Sequence, residues 1–162
     1  MAGSLELIPL EGFPLVEPGD DLGSQIGDCL ANNKLSLQAG DVLVIAQKVV
    51  SKAEGRYVRL ADVQPGDRAR TLALEADKDP RQVQLILDES TEIVRVRPGV
   101  IIAEHRNGYV LANAGIDKSN IQSDPEDPRV LLLPLDADAS ALKLRKSLAA
   151  RFSVTPQVII ND

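Results

Sequence analysis

Three short stretches of the chain carry side chains whose types and spacing could do chemistry. The first is Gln47-Lys48-Val49-Val50-Ser51-Lys52-Ala53-Glu54-Gly55, directly after the apolar run Val42-Leu43-Val44-Ile45-Ala46. Lys48 and Lys52 offer point charges for phosphates, and Ser51 and Gly55 permit close backbone approach. A loop at the carboxyl end of a buried strand is the usual binding edge of an α/β sheet. The same pattern also describes a solvated loop with incidental lysines. The second stretch is Ala112-Asn113-Ala114-Gly115-Ile116-Asp117-Lys118-Ser119-Asn120. There Asp117 could hold a hard divalent cation and Asn120 could contact a base or ribose, because magnesium sites use one or two carboxylates and complete the shell with phosphate and water. An Asx-turn closing a hairpin would use the same residues. The third is Asp162, at the exit of the apolar run Val158-Ile159-Ile160. It is either a metal ligand or the point where the chain turns polar on leaving the core.

Other chemistries are excluded. The chain has no G-x-x-x-x-G-K-[ST] loop and no G-x-G-x-x-G after a strand. Its one His, His105, has no Ser or Cys partner in the pattern, so a Ser-His-Asp arrangement is not expected. The single Cys29 cannot close an intrachain disulfide, and its place in a helical apolar pattern makes it a small core residue. Twenty-four acidic residues against 18 basic ones give a net charge of -6, which provides no global field for a phosphate backbone or an anionic membrane. Two Phe, two Tyr and no Trp leave little to stack single-stranded bases on. No apolar run approaches a membrane span, and the N-terminal residues, with Glu6 and Glu11, do not read as an export signal; a cytoplasmic address is expected.

The elements that must position these residues follow from periodicity and punctuation. Leu5 to Pro9 reads as a short opening strand. Asp20 can cap a helix whose face is Leu22, Ile26, Cys29 and Leu30. Val42 to Ala46 fits a strand buried on both faces. Arg56 to Leu60 alternates like a half-exposed strand, and helices are expected over Asp67 to Asp77 and from Pro80 onward. Glu92 to Leu111 reads as three short strands punctuated by Pro98-Gly99 and Asn107-Gly108. A last helix carries Ala141, Leu144, Leu148 and Phe152, and Val158 to Ile160 forms a terminal buried strand. The class expected is α+β, a mixed α/β sheet with flanking helices, in one domain of 162 residues.

Taken together the segments resemble the coenzyme F420-0:L-glutamate ligases, the γ-glutamyl ligases of the deazaflavin coenzyme. The resemblance rests on Glu11-Gly12-Phe13-Pro14-Leu15, Pro18-Gly19-Asp20-Asp21-Leu22, Gly40-Asp41-Val42-Leu43-Val44, Val50-Ser51-Lys52-Ala53-Glu54-Gly55-Arg56, Ala112 to Asn120 and Leu131-Leu132-Leu133-Pro134, in the family's order. It implies a GTP-dependent ligase that joins L-glutamate to coenzyme F420-0 through an acyl phosphate, with Mg or Mn as divalent metal, acting as a cytoplasmic homodimer. Carried over by position, Gly12, Phe13, Pro14 and Leu15 match the loop lining the guanine-nucleotide site. Gln47, Lys48, Lys52 and Asn120 match nucleotide contacts, with Lys52 the catalytic phosphate ligand, and Asp117 and Asp162 match metal ligands. The family's chains continue past the strand-end Asp, so residues 1–162 are expected to be the nucleotide- and metal-binding part of such a ligase, truncated at the C-terminus. A non-catalytic guanine-nucleotide-binding or assembly module of the same fold, or the ligase half of a bifunctional chain with a flavin-type domain, is the alternative.

Overall fold

A computed structural model describes residues 5–119, 121, 123, 124 and 126–162. The chain divides into two compact units, the first made of Met1–Gly55 and Asp136–Asp162, the second of Arg56–Leu135. The second is thus an insertion within the first.

The first unit packs three helices against a two-stranded parallel sheet. Helix α1 spans Leu22–Asn32, and Asp21, not Asp20, is its cap: its carboxylate accepts from the Gly23 and Ser24 N–H groups at 3.1 and 3.3 Å. Strand β1 (Val42–Ala46) runs straight into helix α2 (Gln47–Ala53). Helix α5 (Ala137–Phe152), capped by Asp136, leads to strand β7 (Gln157–Asn161). β1 and β7 pair in parallel from Val42 opposite Gln157 to Ala46 opposite Asn161. Leu22, Ile26 and Leu30 of α1, Ile45, Val50, Leu144 and Leu148 form the core, with Phe13 and Phe152 packed against it.

The second unit holds strand β2 (Tyr57–Arg59), helices α3 (Asp67–Ala76) and α4 (Pro80–Asp88), the meander β3 (Ser90–Arg97), β4 (Val100–His105) and β5 (Val110–Ala112), and strand β6 (Arg129–Leu131). β3, β4 and β5 form an antiparallel sheet in that order, and β2 pairs antiparallel with β6. The Pro98-Gly99 turn and the turn holding Asn107-Gly108 close the two hairpins, with Gly99 and Gly108 at φ +84° and +85°. Val83 and Ile86 of α4, Ile101 and Ala103 of β4, Leu60 and Val130 lie at the centre of this unit's core.

The mixed helix-and-strand class is as expected, with the strands in several small sheets instead of one. Leu5 to Pro9 forms no strand; these residues join no ladder, and Leu5 and Leu7 are exposed. β1 is not buried on both faces: it has one strand neighbour, and Val42 and Val44 point outward, Val44 being 64% exposed. On β7, Ile159 is similarly open. Among the described residues no helix is long and apolar enough to cross a membrane.

Candidate functional site

The segment from Gln47 is a helix, not a loop, as far as Ala53. It contains no Gly, Pro or Asn to break it, and Gly55, at φ +66°, stands just past its end. Helical spacing puts Lys48 and Lys52 four apart on one face, both half-buried. Gln47 is buried, and its amide donates to Ser51 Oγ at 2.9 Å. Because β1 and β7 are parallel and Ala46 faces Asn161, Gln47 and Asp162 follow at the same carboxyl edge of the sheet. The fold therefore places Gln47 and Asp162 at one end of a parallel strand pair, with Lys48 and Lys52 on the helix that starts there; open α/β sheets bind ligands at that edge.

Gly12 to Leu15 belongs to the same unit. Gly12 takes φ +69°, Phe13 packs on the core, and Leu15 is 81% exposed. The preceding residue fixes the loop to α1: Glu11 N–H donates to Asn33 Oδ1 at 3.2 Å, and its carbonyl accepts from Asn33 Nδ2 and Cys29 Sγ. Cys29 is buried in α1, as its pattern implied.

Asp117 lies in the second unit. Its backbone bridges Leu131 in both directions, at 3.0 and 2.9 Å, and Oδ1 accepts the Ser119 N–H at 2.6 Å, an Asx-turn. Asn113, Ala114 and Gly115 lead into it with three successive left-handed conformations, φ +52°, +54° and +70°. Asn113 secures the start of this run by accepting the Ile101 N–H on Oδ1 at 3.2 Å. Asn120 lies outside the described residues.

Among the described residues no three His, Cys, Asp or Glu side chains converge as a metal cage. Asp117 and Asp162 each bring a single carboxylate. Taken singly, either carboxylate is a hard-cation donor, since Mg²⁺ held mainly through phosphates and water takes one or two protein carboxylates.

A feature the sequence did not reveal lies in the first unit. Asp20 to Gly23, then Val50, Ala53 and Glu54, and one side of α5 line a cavity of about 440 Å³. Glu54 accepts a hydrogen bond from Ser140, and Lys143 and Ser147 line the same space. Two of the family-like stretches thus share a wall. Their presence was a signal; the contribution of α5, more than eighty residues away in the chain, had none.

The second unit buries a charged cluster that composition also could not show. Glu89, at the C-terminal end of α4, accepts from Arg56 Nη2 and Arg106 Nη2, each at 3.0 Å. His105 is fully buried beside it, with Nε2 3.4 Å from Glu89 Oε2. The Asn107 N–H donates to His105 Nδ1 at 3.1 Å, so the neutral ring carries its hydrogen on Nε2. His105 is thereby a structural residue, as its place beside a turn implied. Burial first, then the Arg106 and Arg56 charges, hold its pKa below the ordinary 6.5, with Glu89 opposing them. A lowered pKa in the folded state means that the unfolded chain binds the proton more readily. The contribution is complete above pH 6.5 and is lost as the pH falls through that value toward the folded pKa. Thermal melts from pH 8 to pH 5 should show this slope in the parent chain, and His105→Gln should flatten it; equal slopes would refute the assignment.

Comparisons with known proteins match the chain to one family. The family model described as F420-0:Gamma-glutamyl ligase matches residues 12–162, and the chain belongs to that family. A coenzyme F420:L-glutamate ligase of Methanothermobacter thermautotrophicus is 42% identical over 158 residues, 98% of this chain and 61% of the relative. The protein of the same name from Methanopyrus kandleri is 45% identical over 163 residues, covering 99% and 61%. That from Archaeoglobus fulgidus is 39% identical over 158 residues, covering 98% and 59%. The chain spans about three fifths of the length of these relatives.

Proposed function

We propose that this chain is the nucleotide- and metal-binding portion of a GTP-dependent ligase that adds L-glutamate to coenzyme F420-0. The observation that carries the reading is the family match over residues 12–162, together with relatives named coenzyme F420:L-glutamate ligase that align with nearly the whole chain. An oxygen of the acceptor's terminal carboxylate attacks the γ-phosphorus of GTP, and the bond to the bridging oxygen breaks to release GDP. The glutamate amine then attacks the acyl carbon, inorganic phosphate leaves, the amine loses a proton, and an amide remains. Such chemistry depends on positioning and charge neutralisation more than on a protein nucleophile.

In this reading Lys52 is the catalytic phosphate ligand, and Lys48, four residues earlier on α2, extends the cationic surface along the polyphosphate. Gly12, Phe13, Pro14 and Leu15 line the base site, with the exposed Leu15 offering an apolar contact; Gln47 supports α2 through Ser51, and Asn120 contacts the nucleotide. Asp117 and Asp162 are the carboxylates that would hold divalent Mg or Mn, and that ion would supply charge neutralisation at the phosphates.

Incubating this chain, and a longer chain that contains it, with GTP, manganese, L-glutamate and coenzyme F420-0 and separating the products should show GDP and the glutamylated coenzyme from the longer chain. Removing a positioned cation from a transferring phosphoryl group costs about 10²–10³-fold in turnover by comparison with other preorganised donors. Lys52→Ala should lower both products by that order and weaken GTP in calorimetric titration. Unchanged GTP affinity in the variant would remove Lys52 from the site. Absence of product from the parent chain and from a longer chain alike would overturn the ligase reading.

A further inference from the structure

Strand β5 stops at Ala112, and the way it stops bears on Asp117 just beyond. Its ladder with β4 runs as far as Ala112 opposite Ile102, so the next rung would join Asn113 to Ile101. The backbone turns away instead. Asn113 and Ala114, neither of them glycine, take φ +52° and +54°, and the Asn113 carbonyl accepts the Ile116 N–H at 3.0 Å. The Ile101 N–H still finds a partner, because Asn113 Oδ1 accepts it at 3.2 Å. A side-chain amide thus replaces the backbone carbonyl that the turn has diverted. Few residue types can do both. Asn and Asp tolerate the left-handed region and carry an acceptor on a short stem, whereas glycine offers the conformation without the acceptor.

The segment that follows is held from two sides. Ala114 is fully buried, and Ile116 packs in the core of the second unit. Asp117 is then bonded to Leu131 of β6 through both of its backbone groups, at 3.0 and 2.9 Å. Asn113 therefore anchors the segment to β4, and Leu131 anchors it to β6. Non-glycine residues held in sparsely populated conformations gather at functional sites, where the surrounding contacts fix them.

We propose that Asn113 is a positioning residue: its rung to Ile101 fixes where the Asp117 carboxylate stands and thereby sets the hold of that carboxylate on a divalent cation. The cation half rests on the reading of Asp117 as a metal ligand; the placement half does not. Groups that orient a metal ligand without touching the metal are worth about 10–100-fold in affinity, and Asn113, acting through the backbone, belongs at the low end.

Amide hydrogen exchange and titration with manganese alone, both on the full chain without nucleotide, test the two halves. Asn113→Gly keeps the left-handed backbone and deletes only the acceptor, so it should fold. In it the Ile101, Asp117 and Leu131 amides should exchange faster together, and manganese should bind about tenfold more weakly. Asn113→Asp restores an acceptor oxygen, so the three amides should return to slow exchange and manganese affinity should fall by no more than about threefold. Gln84→Ala controls for stability. Gln84 Oε1 accepts the Gly66 N–H at 2.9 Å, the same kind of bond elsewhere in the unit; its loss should leave the Asp117 and Leu131 amides as in the parent and manganese affinity within about twofold. Faster exchange confined to Ile101 in Asn113→Gly, or equal manganese losses in Asn113→Gly and Gln84→Ala, overturns the proposal. Asp117→Asn binding manganese as tightly as the parent overturns the ligand assignment alone, and the exchange pattern then decides the placement of Asp117 by itself.

Discussion

Replacing Glu89 by Gln should destabilise the protein by about 3 kcal/mol, because it removes the one anion that two guanidiniums and a buried imidazole share. The side chain changes little in shape, so the loss is electrostatic. Arg56 is tied on its other side to the Leu133 carbonyl through Nε at 2.8 Å, and its own carbonyl accepts the Leu132 N–H at 3.0 Å. It cannot swing to solvent without breaking the link between the start and the end of the second unit. Arg106 is 38% exposed and can be rehydrated in place, which holds the expected loss at the low end of the roughly 3–5 kcal/mol range for broken buried pairs. His105 Nε2, 3.4 Å from Glu89 Oε2, has no hydrogen-bond partner in the parent protein, so the variant takes from it the nearby negative charge and no hydrogen bond. Urea unfolding of the two proteins reads the effect directly. A difference under about 0.5 kcal/mol would mean that the cluster is hydrated and carries little of the fold. Arg106→Gln, which removes the more exposed partner, should cost clearly less than Glu89→Gln; the reverse order would contradict the central place given to Glu89.

This cluster also marks the limit of what could be read from the chain. Local signals were legible where one side-chain pattern decides one element. The i, i+4, i+7 and i+8 spacing of Leu22, Ile26, Cys29 and Leu30 gave α1; Pro80 gave the start of α4; Asn107-Gly108 gave a hairpin. The failures share a cause. An apolar run such as Val42 to Ala46 looks the same whether one face or both are covered, because coverage depends on distant segments. Helix α2 starts at the last residue of β1 with no side-chain cap, so nothing announced it. The division into two units was invisible because its boundaries, at Gly55 and Leu135, lack the composition of a linker. The candidate site follows the same rule. Residue type and motif singled out Lys48, Lys52, Asp117 and Asp162. Only the parallel pairing of β1 with β7 shows that Asp162 shares an edge with Gln47, and only tertiary packing assembles Glu54 with Ser140.

The left-handed run before Asp117 is where fold and site meet, and Gly115→Ala should have the other large effect. Two costs combine. At φ +70° an L-residue is strained by roughly 1–2 kcal/mol. The added methyl would stand 2.8–2.9 Å from Cγ and both Cδ atoms of Leu133, which is buried and lies two residues past the end of β6. Leu133 can retreat only by displacing the core around it, an overpacking penalty of roughly 1–3 kcal/mol. The expected loss is therefore about 2–4 kcal/mol. Gly12 separates the two contributions: it has nearly the same φ, +69°, with nothing within 4 Å of where a Cβ would lie. Gly12→Ala should accordingly show the conformational cost alone, about 1 kcal/mol. The difference between the variants in chemical denaturation measures the close approach to Leu133, and equal losses would show that the contact relaxes freely. Asp117 gives the same substitution a second readout. Its backbone bridge to Leu131 lies two residues from the Gly115–Leu133 contact on both strands. A methyl group that drives the two segments apart must lengthen that bridge and turn the carboxylate. If Asp117 is a metal ligand, Gly115→Ala should weaken manganese binding measured without nucleotide while Gly12→Ala leaves it unchanged, a contrast that a general loss of stability would not produce.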